Sequence, residues 1–493
     1  MAANFIVRLA ALSWAGFATA QVNPAVVYNT GFNSSFKLTP AQIESAQLND
    51  SLVQNIETIF NFDKTQLVFG GPGEDDFYKL PPGSNRTGPL QPGEIIKVQE
   101  FTDPLAYAIP PNTALSRILY TTTNYNGTVV PASAVILWPY MPRPLGGAKP
   151  SLNESLKAPV VVWAHGTSGY WGAQGPSANR ALYYGHSSVF ALAQAGYAVF
   201  APDYAGLGID SNGTHFVPHQ YFAAPAQAFD LLYGFRAALK AFPKHLDKRF
   251  VIMGHSQGGG VAWATAELLA KEAQKFKDLL SGYRGTISAS PITNIWAVTN
   301  PLVIATVGTM LPSIFPPFQL DTWLTPIGIA RTKLAKDIQG GIFVLFQLLY
   351  TRNDIFKPEY VNSWYAQKFA QLMNPGRKPF SGPLLVIQGT TDVYVPLNVT
   401  TKTVEDTQRL YPSADLEYVV AHGAGHTPAL DATRQIWMQW IEERLEGKAL
   451  KKKGPVRTDL KSFLPDERYL HVGNAITAWV GLPQYDYQVP LGL

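Results

Sequence analysis

The sequence predicts an α/β protein, a mostly parallel central sheet with helices on both faces and an inserted, mainly helical cap. Three observations carry this. From residue 159 onward, short apolar runs alternate with helix-length segments, the pattern of a parallel sheet covered on both sides. One apolar run, Arg249-Phe-Val-Ile-Met, leads into Gly254-His255-Ser256-Gln257-Gly258 and then into a helical stretch over 261–270. Between residues 293 and 375 lies a block too apolar for a linker and too often broken by proline for sheet strands, which is assigned as the cap.

Taken in order, the chain opens with Arg8, the apolar run 9–17 and Ala18-Thr19-Ala20 before Gln21. These are the parts of a secretory signal peptide with small residues at its cleavage positions, so residues 1–20 are expected to be removed on export. Residues 21–92, rich in Pro, Gly and Asn, are read as an arm with one helix over 39–60, where Thr39-Pro40 supplies a cap residue and a proline at the first helical position. The core begins at 93. Strand signals at 94–101, 116–123 and 130–138 include an antiparallel hairpin across the turn-forming Asn124-Tyr-Asn-Gly127. Strands at 159–164 and 197–201 and helices at 187–195 and 226–242 lead to the serine strand. The core resumes over 376–445, with strands at 383–389 and 416–420 and a helix at 429–445. Residues 446–493 are left as a tail.

Composition bounds the chemistry. A chain of 493 residues with 46% hydrophobic and 15% charged residues is globular, and its charge content lies below the roughly 25% usual for soluble proteins. A net charge of +4 is too small to argue for nucleic acid. There are no cysteines, which excludes disulfides, thiolate metal sites and a cysteine nucleophile. Seven sequons, at Asn33, Asn49, Asn85, Asn126, Asn153, Asn212 and Asn398, agree with an exported glycoprotein.

The turn at Ser256 has the form of a nucleophile elbow: glycines two residues either side admit a tight turn that lifts the serine clear of the sheet. A serine hydroxyl needs a base within reach, and the base needs a carboxylate to orient it. Asp392 follows the strand at 383–389, and His426 lies on the Gly-rich turn 423–425 before a helix, giving the order Ser, Asp, His. His422 is the competing base and is read as a packed structural histidine. Asp203, after the strand 197–201, is the alternative carboxylate; Asp392 is also of the type that caps helices. For the oxyanion, the amide of Gln257 should supply one donor and that of Thr167 the other, with Gly166 and Ser168 as alternatives. His165 and His255, beside glycine turns and without partners at metal spacing, are read as structural.

These segments resemble the α/β-hydrolase superfamily. The serine elbow, the Asp392 and His426 loops, Ala201-Pro-Asp-Tyr-Ala-Gly206, Ser116-Arg-Ile-Leu-Tyr120 with its hairpin and the apolar insertion are similar to secreted fungal and bacterial secretory-type lipases. The resemblance spans about 95–290 and 380–445. Gly-His-Ser-Gln-Gly differs from the Gly-Tyr-Ser-Gly-Gly common in those lipases, and His165-Gly166 is closer to general esterases. The resemblance implies an α/β-hydrolase fold, a Ser-His-Asp triad, no cofactor, and a small-molecule or lipid ester as substrate, with transient contact to a lipid surface through the aromatic cap. A tailoring hydrolase of secondary metabolism, a secreted peptidase and a non-catalytic binding module are the other functions compatible with these residues.

Overall fold

The computed structural model describes residues 35–81, 91–146, 156–183, 185–298, 300–465 and 468. The segment 1–20 and the sequons at Asn33, Asn85 and Asn153 lie outside the described residues. Asn49, Asn126, Asn212 and Asn398 are all exposed.

The arm holds two helices where one was predicted, α1 (Pro40–Ser45) and α2 (Asp50–Thr65). Thr39 and Gln42 form a reciprocal capping box at the first. Gln47 then turns into the left-handed region, at φ 49°, and Asn49 starts the second helix by accepting the amide of Leu52 at 2.9 Å. A cap residue in mid-segment broke the helix.

Strands β1 (Ile95–Thr102), β2 (Ala114–Thr123) and β3 (Val129–Trp138) form an antiparallel meander. Strands β4 (Ala158–Ala164), β5 (Ala198–Pro202), β6 (Leu246–His255), β7 (Tyr283–Ala289), β8 (Leu384–Gly389), β9 (Leu416–Ala421) and β10 (Pro455–Leu460) run parallel to one another. Among the described residues the ten strands make one sheet in the order β1-β2-β3-β5-β4-β6-β7-β8-β9-β10. Strand β10 belongs to the segment read as a tail; it extends the sheet edge against β9.

The intervening helices are α3 (Phe190–Gln194), entered through a π turn at Gly185–Val189, α4 (Ala224–Ala241), α5 (Gln257–Lys271) and α6 (Lys277–Leu280). Four helices build the cap, α7 (Pro301–Met310), α8 (Pro326–Asp337), α9 (Ile342–Leu349) and α10 (Trp364–Met373). The chain then returns to the core through α11 (Leu397–Leu410), α12 (Pro428–Ala432) and α13 (Arg434–Leu445). The single helix predicted over 429–445 is broken at Thr433, whose hydroxyl donates back to Ala429 O at 2.7 Å and does not cap α13. No helix among the described residues is long and apolar enough to cross a membrane.

The central strands are apolar on both faces because both faces are covered. Val160, Val162, Phe250 and Ile252 pack with Leu231, Phe235 and Leu269 of α4 and α5. Val161, Trp163, Val251 and Met253 point the other way, against Leu430, Trp437 and Ile441. The cap has its own core: the Trp323 ring meets Trp296 at 5.6 Å, Phe318 at 5.0 Å and Tyr360 at 5.4 Å. Ile56, Ile59 and Phe60 of the arm join that same cluster. Buried Arg331 fastens arm to cap by donating to the carbonyls of Ala46, Gln47 and Leu348.

Several carboxyls are buried beneath this architecture, and one yields a pH prediction. Burial pushes Asp230, on α4, up to about 7 against the pull of the Ala205 amide. The folded chain therefore keeps a proton that the unfolded chain releases near its ordinary value. The stabilisation is complete below about pH 4 and is lost as pH rises through about 7, at roughly 1 kcal/mol or slightly more per pH unit. Glu267 and Asp203 share this sign, whereas the buried His165, His219 and His255 oppose it below about 6.5. Comparing wild type with Asp230→Asn isolates the one group. From pH 5 to 8 the unfolding free energy of the variant should rise relative to wild type by a few kcal/mol. Parallel pH–stability curves from denaturant titrations would refute this.

Candidate active site

Strand β6 ends at His255, and Ser256 turns the chain into α5 with φ 60° and ψ −121°. That conformation costs a residue with a side chain on the order of 1–3 kcal/mol, and the surroundings hold it. The Ser256 amide donates to Ala289 O at 2.9 Å. Its carbonyl accepts from Gly260 N at 3.1 Å and Ile292 N at 3.3 Å. The flanking glycines are a packing requirement: a Cβ on Gly254 would collide with Gly258 O, and one on Gly258 with the carbonyls of Ala164 and His165. The first turn of α5 thus lies directly on the loop after β4.

Asp392 follows β8, in a turn that its own side chain organises. Oδ1 accepts from the amides of Tyr394 at 2.9 Å and Val395 at 2.8 Å. Oδ2 accepts from Gln388 Nε2 at 3.0 Å and faces His426 Nδ1 at 2.7 Å. Burial alone would raise this carboxyl; the charge and hydrogen bond of His426 and the two amides outweigh it and hold the group below its ordinary value. With Asp392 ionised, the proton of a neutral His426 sits on Nδ1, which leaves Nε2 as the basic nitrogen.

The His426 loop follows β9 and is tied on two sides. Thr391 N donates to Ala424 O at 3.0 Å, and Gly423 N to Thr390 Oγ1 at 2.9 Å, which joins it to the Asp392 loop. The carbonyl of His426 receives His255 Nε2 at 3.0 Å and Ser290 Oγ at 3.3 Å, which joins it to the elbow. The residue immediately before Ser256 therefore holds the backbone of the histidine that pairs with Asp392.

The competing residues fall elsewhere. His422 is not packed inside, as the sequence suggested. Its side chain is 42% exposed and meets Asp459 of β10 at 3.0 Å, an edge strand invisible in the apolar pattern. Asp203 is fully buried and pinned by Ser133 and Ser177: Oδ2 accepts both hydroxyls and Oδ1 the Ser177 amide at 2.7 Å. It fastens the 175–178 turn to β3 and its side chain has no histidine partner among the described residues. His165 is buried between the carbonyls of Gly166 and Asp203, and burial lowers its imidazole to about 4.

Gln257 is the first residue of α5, so its amide belongs to the N–H groups a helix leaves without an internal acceptor. Thr167 lies on the loop that abuts this turn, with its hydroxyl 2.9 Å from Tyr221 OH. Gly166 and Ser168 flank it on the same loop, both buried. Three residues that the sequence reading passed over belong to this neighbourhood: Gln388 holds Asp392, and His219 and Tyr221 come from the loop before α4. No local pattern marks them, because loop residues acquire such roles only through where the scaffold places them. The described residues contain no group of His, Asp and Glu able to hold a metal ion. A cleft of about 570 Å³ near Lys64, Tyr78, Asp210 and Gln339 is lined by none of Ser256, Asp392 and His426.

A mostly parallel sheet with helices on both faces, a serine at a strained strand-to-helix turn and a carboxylate–histidine pair at two later strand ends define an α/β hydrolase. Residues 161–436 match the alpha/beta hydrolase family, and the chain belongs to it. No curated protein matches the sequence. Among solved structures it is similar to Candida antarctica lipase A in its closed state, at 16% identity and a TM-score of 0.59 over 79% of this chain and 90% of that one. It is also similar to a mutant of the rice cell wall degrading esterase LipA from Xanthomonas oryzae, at 18% identity and a TM-score of 0.56 over 72% of this chain and 100% of that one. At these identities the likeness is one of fold.

Proposed function

We propose that this protein is a secreted serine hydrolase that cleaves carboxylic esters of apolar acyl groups. The observation that carries the reading is the His426–Asp392 pair at 2.7 Å, fastened through the His426 carbonyl to the residue preceding Ser256. Ser256 Oγ attacks the ester carbonyl carbon while His426 Nε2 takes its proton. The amides of Gln257 and Thr167 receive the negative charge that develops on the carbonyl oxygen. Collapse expels the alcohol, which takes the proton back from His426, and water then releases the acyl group by the same steps in reverse. Asp392 stays ionised throughout and stabilises the imidazolium.

The similar structures named as a lipase and an esterase agree with this chemistry. Export is supported by the pattern of residues 1–20 and by the exposed sequons. Preference for apolar acyl groups rests on the aromatic cap, although Trp323, Phe318 and Tyr360 are spent on the cap's own interior. Trp364 and Val361 are the large apolar side chains the cap leaves exposed among the described residues, and these could meet a lipid surface.

Treatment with a fluorophosphonate, followed by peptide mass spectrometry, should place the adduct on Ser256. His426→Ala should abolish labelling, and His422→Ala should leave it intact. Wild type without an adduct on Ser256 would mean a binding module in place of an enzyme.

A further inference from the structure

Gln257 opens α5 and Thr167 lies on the loop after β4, yet a short segment spans them both. We propose that the strap 218–222 sets the geometry of the oxyanion hole, with His219 and Tyr221 as positioning residues that hold its two halves. This rests on the hydrolase reading above and adds to it the element that keeps the two amides in register.

His219 is 4% exposed and Tyr221 3%. His219 Nδ1 lies 3.2 Å from Ala205 O, and its Nε2 lies 3.3 Å from Gln257 Nε2. A carbonyl only accepts, so the Nδ1 contact needs a proton there. The Nε2 lone pair then accepts the side-chain N–H of Gln257, the nearer of two amide groups that face it, Gln227 Nε2 lying at 3.5 Å. Burial agrees, since it lowers the imidazole to about 3 and keeps it neutral with a single N–H. The other end of the Gln257 side chain, Oε1, is buried and has no hydrogen-bond partner among the described residues. His219 is therefore what orients the side chain of the residue after the nucleophile. Two residues on, the Tyr221 hydroxyl meets Thr167 Oγ1 at 2.9 Å.

The strap is itself rigid. The Tyr221 ring stacks on Phe222 at 3.9 Å and meets Tyr170 edge-on at 4.8 Å. A Cβ on Gly206 would collide with the His219 backbone, so the strap lies directly on the loop after β5. Gln220 binds the core at Tyr125 N, 2.7 Å, and the cap at Ser313 Oγ, 3.0 Å. One segment thus grips the residues bearing both proposed oxyanion donors. A displacement of about 1 Å in such a donor costs on the order of 100-fold in rate, and losing a donor costs about 10²–10³.

Tyr221→Phe keeps the ring and removes the hydroxyl. With a p-nitrophenyl ester its kcat should fall about 10–100-fold while KM stays within about threefold, and fluorophosphonate labelling of Ser256 should slow in parallel. His219→Leu should behave alike. His219→Gln, whose Oε1 can accept the Gln257 N–H, should recover most of the loss. Should His219→Leu fail to fold, Tyr221→Phe alone decides. Unchanged kcat in Tyr221→Phe with Ser256 still labelled, or a loss shared equally with KM and the unfolding midpoint, would overturn the strap's role and leave the hydrolase intact. Absence of an adduct on wild-type Ser256 would remove the hydrolase reading itself.

Discussion

Ser256→Ala is expected to lower kcat by about 10⁴–10⁶-fold while KM changes little. The size follows from the role proposed for the hydroxyl: without it no acyl-enzyme forms, and water must attack directly, helped only by the proposed oxyanion donors and by binding. The variant should fold as wild type does. Alanine has the same Cβ and the same φ of 60° to bear, and the backbone bonds of residue 256 to Ala289, Gly260 and Ile292 do not involve the side chain. Steady-state kinetics on a chromogenic ester, with thermal unfolding as a control, measures both halves. Turnover within tenfold of wild type in a folded variant would dispose of the serine mechanism.

How much of this was legible in the sequence depends on the range of the interaction involved. The elbow was legible because its requirements are local: an apolar strand, glycines at 254 and 258, and a helix in sequence. The contact between Asp392 and His426 was legible because chain order and strand ends restrict where a carboxylate and an imidazole can arrive. Strand β7 was missed because its apolar run is short and merges with the apolar block after it. Strand β10, Pro-Val-Arg-Thr-Asp-Leu, was missed because an edge strand half in solvent needs no apolar alternation. Helix α11 was missed because it opens Leu-Asn-Val-Thr-Thr, a run better suited to strands by local preference. Its place is decided by the sheet against which Val404 packs. The arm's docking on the cap and the His219–Gln257 contact are products of folding across long separations, with no signature in either segment alone.

The other large effect is expected of Asp392→Asn, a loss of about 10⁴-fold in kcat, and its cause can be traced atom by atom. Oδ1 accepts two backbone amides, from Tyr394 and Val395, so that position must remain an oxygen. The new NH₂ is forced into the place of Oδ2, where it confronts two donors, His426 Nδ1 and Gln388 Nε2. Gln388 cannot turn its amide over without setting Oε1 against the Val395 carbonyl, to which its Nε2 also donates at 2.9 Å, so it keeps its N–H towards residue 392. His426 relieves its conflict by moving its proton to Nε2, and the nitrogen proposed to take the serine proton is then already protonated. Ground-state binding has no part in this, so KM should hold while kcat and the rate of fluorophosphonate labelling fall together. The control is Asp203→Asn, which alters the only other carboxylate weighed for this role and should leave kcat within tenfold, because its bonds run to Ser133 and Ser177. If Asp203→Asn instead proved the more damaging change, the orienting carboxylate would have to be reassigned, and with it the path by which the proton leaves Ser256.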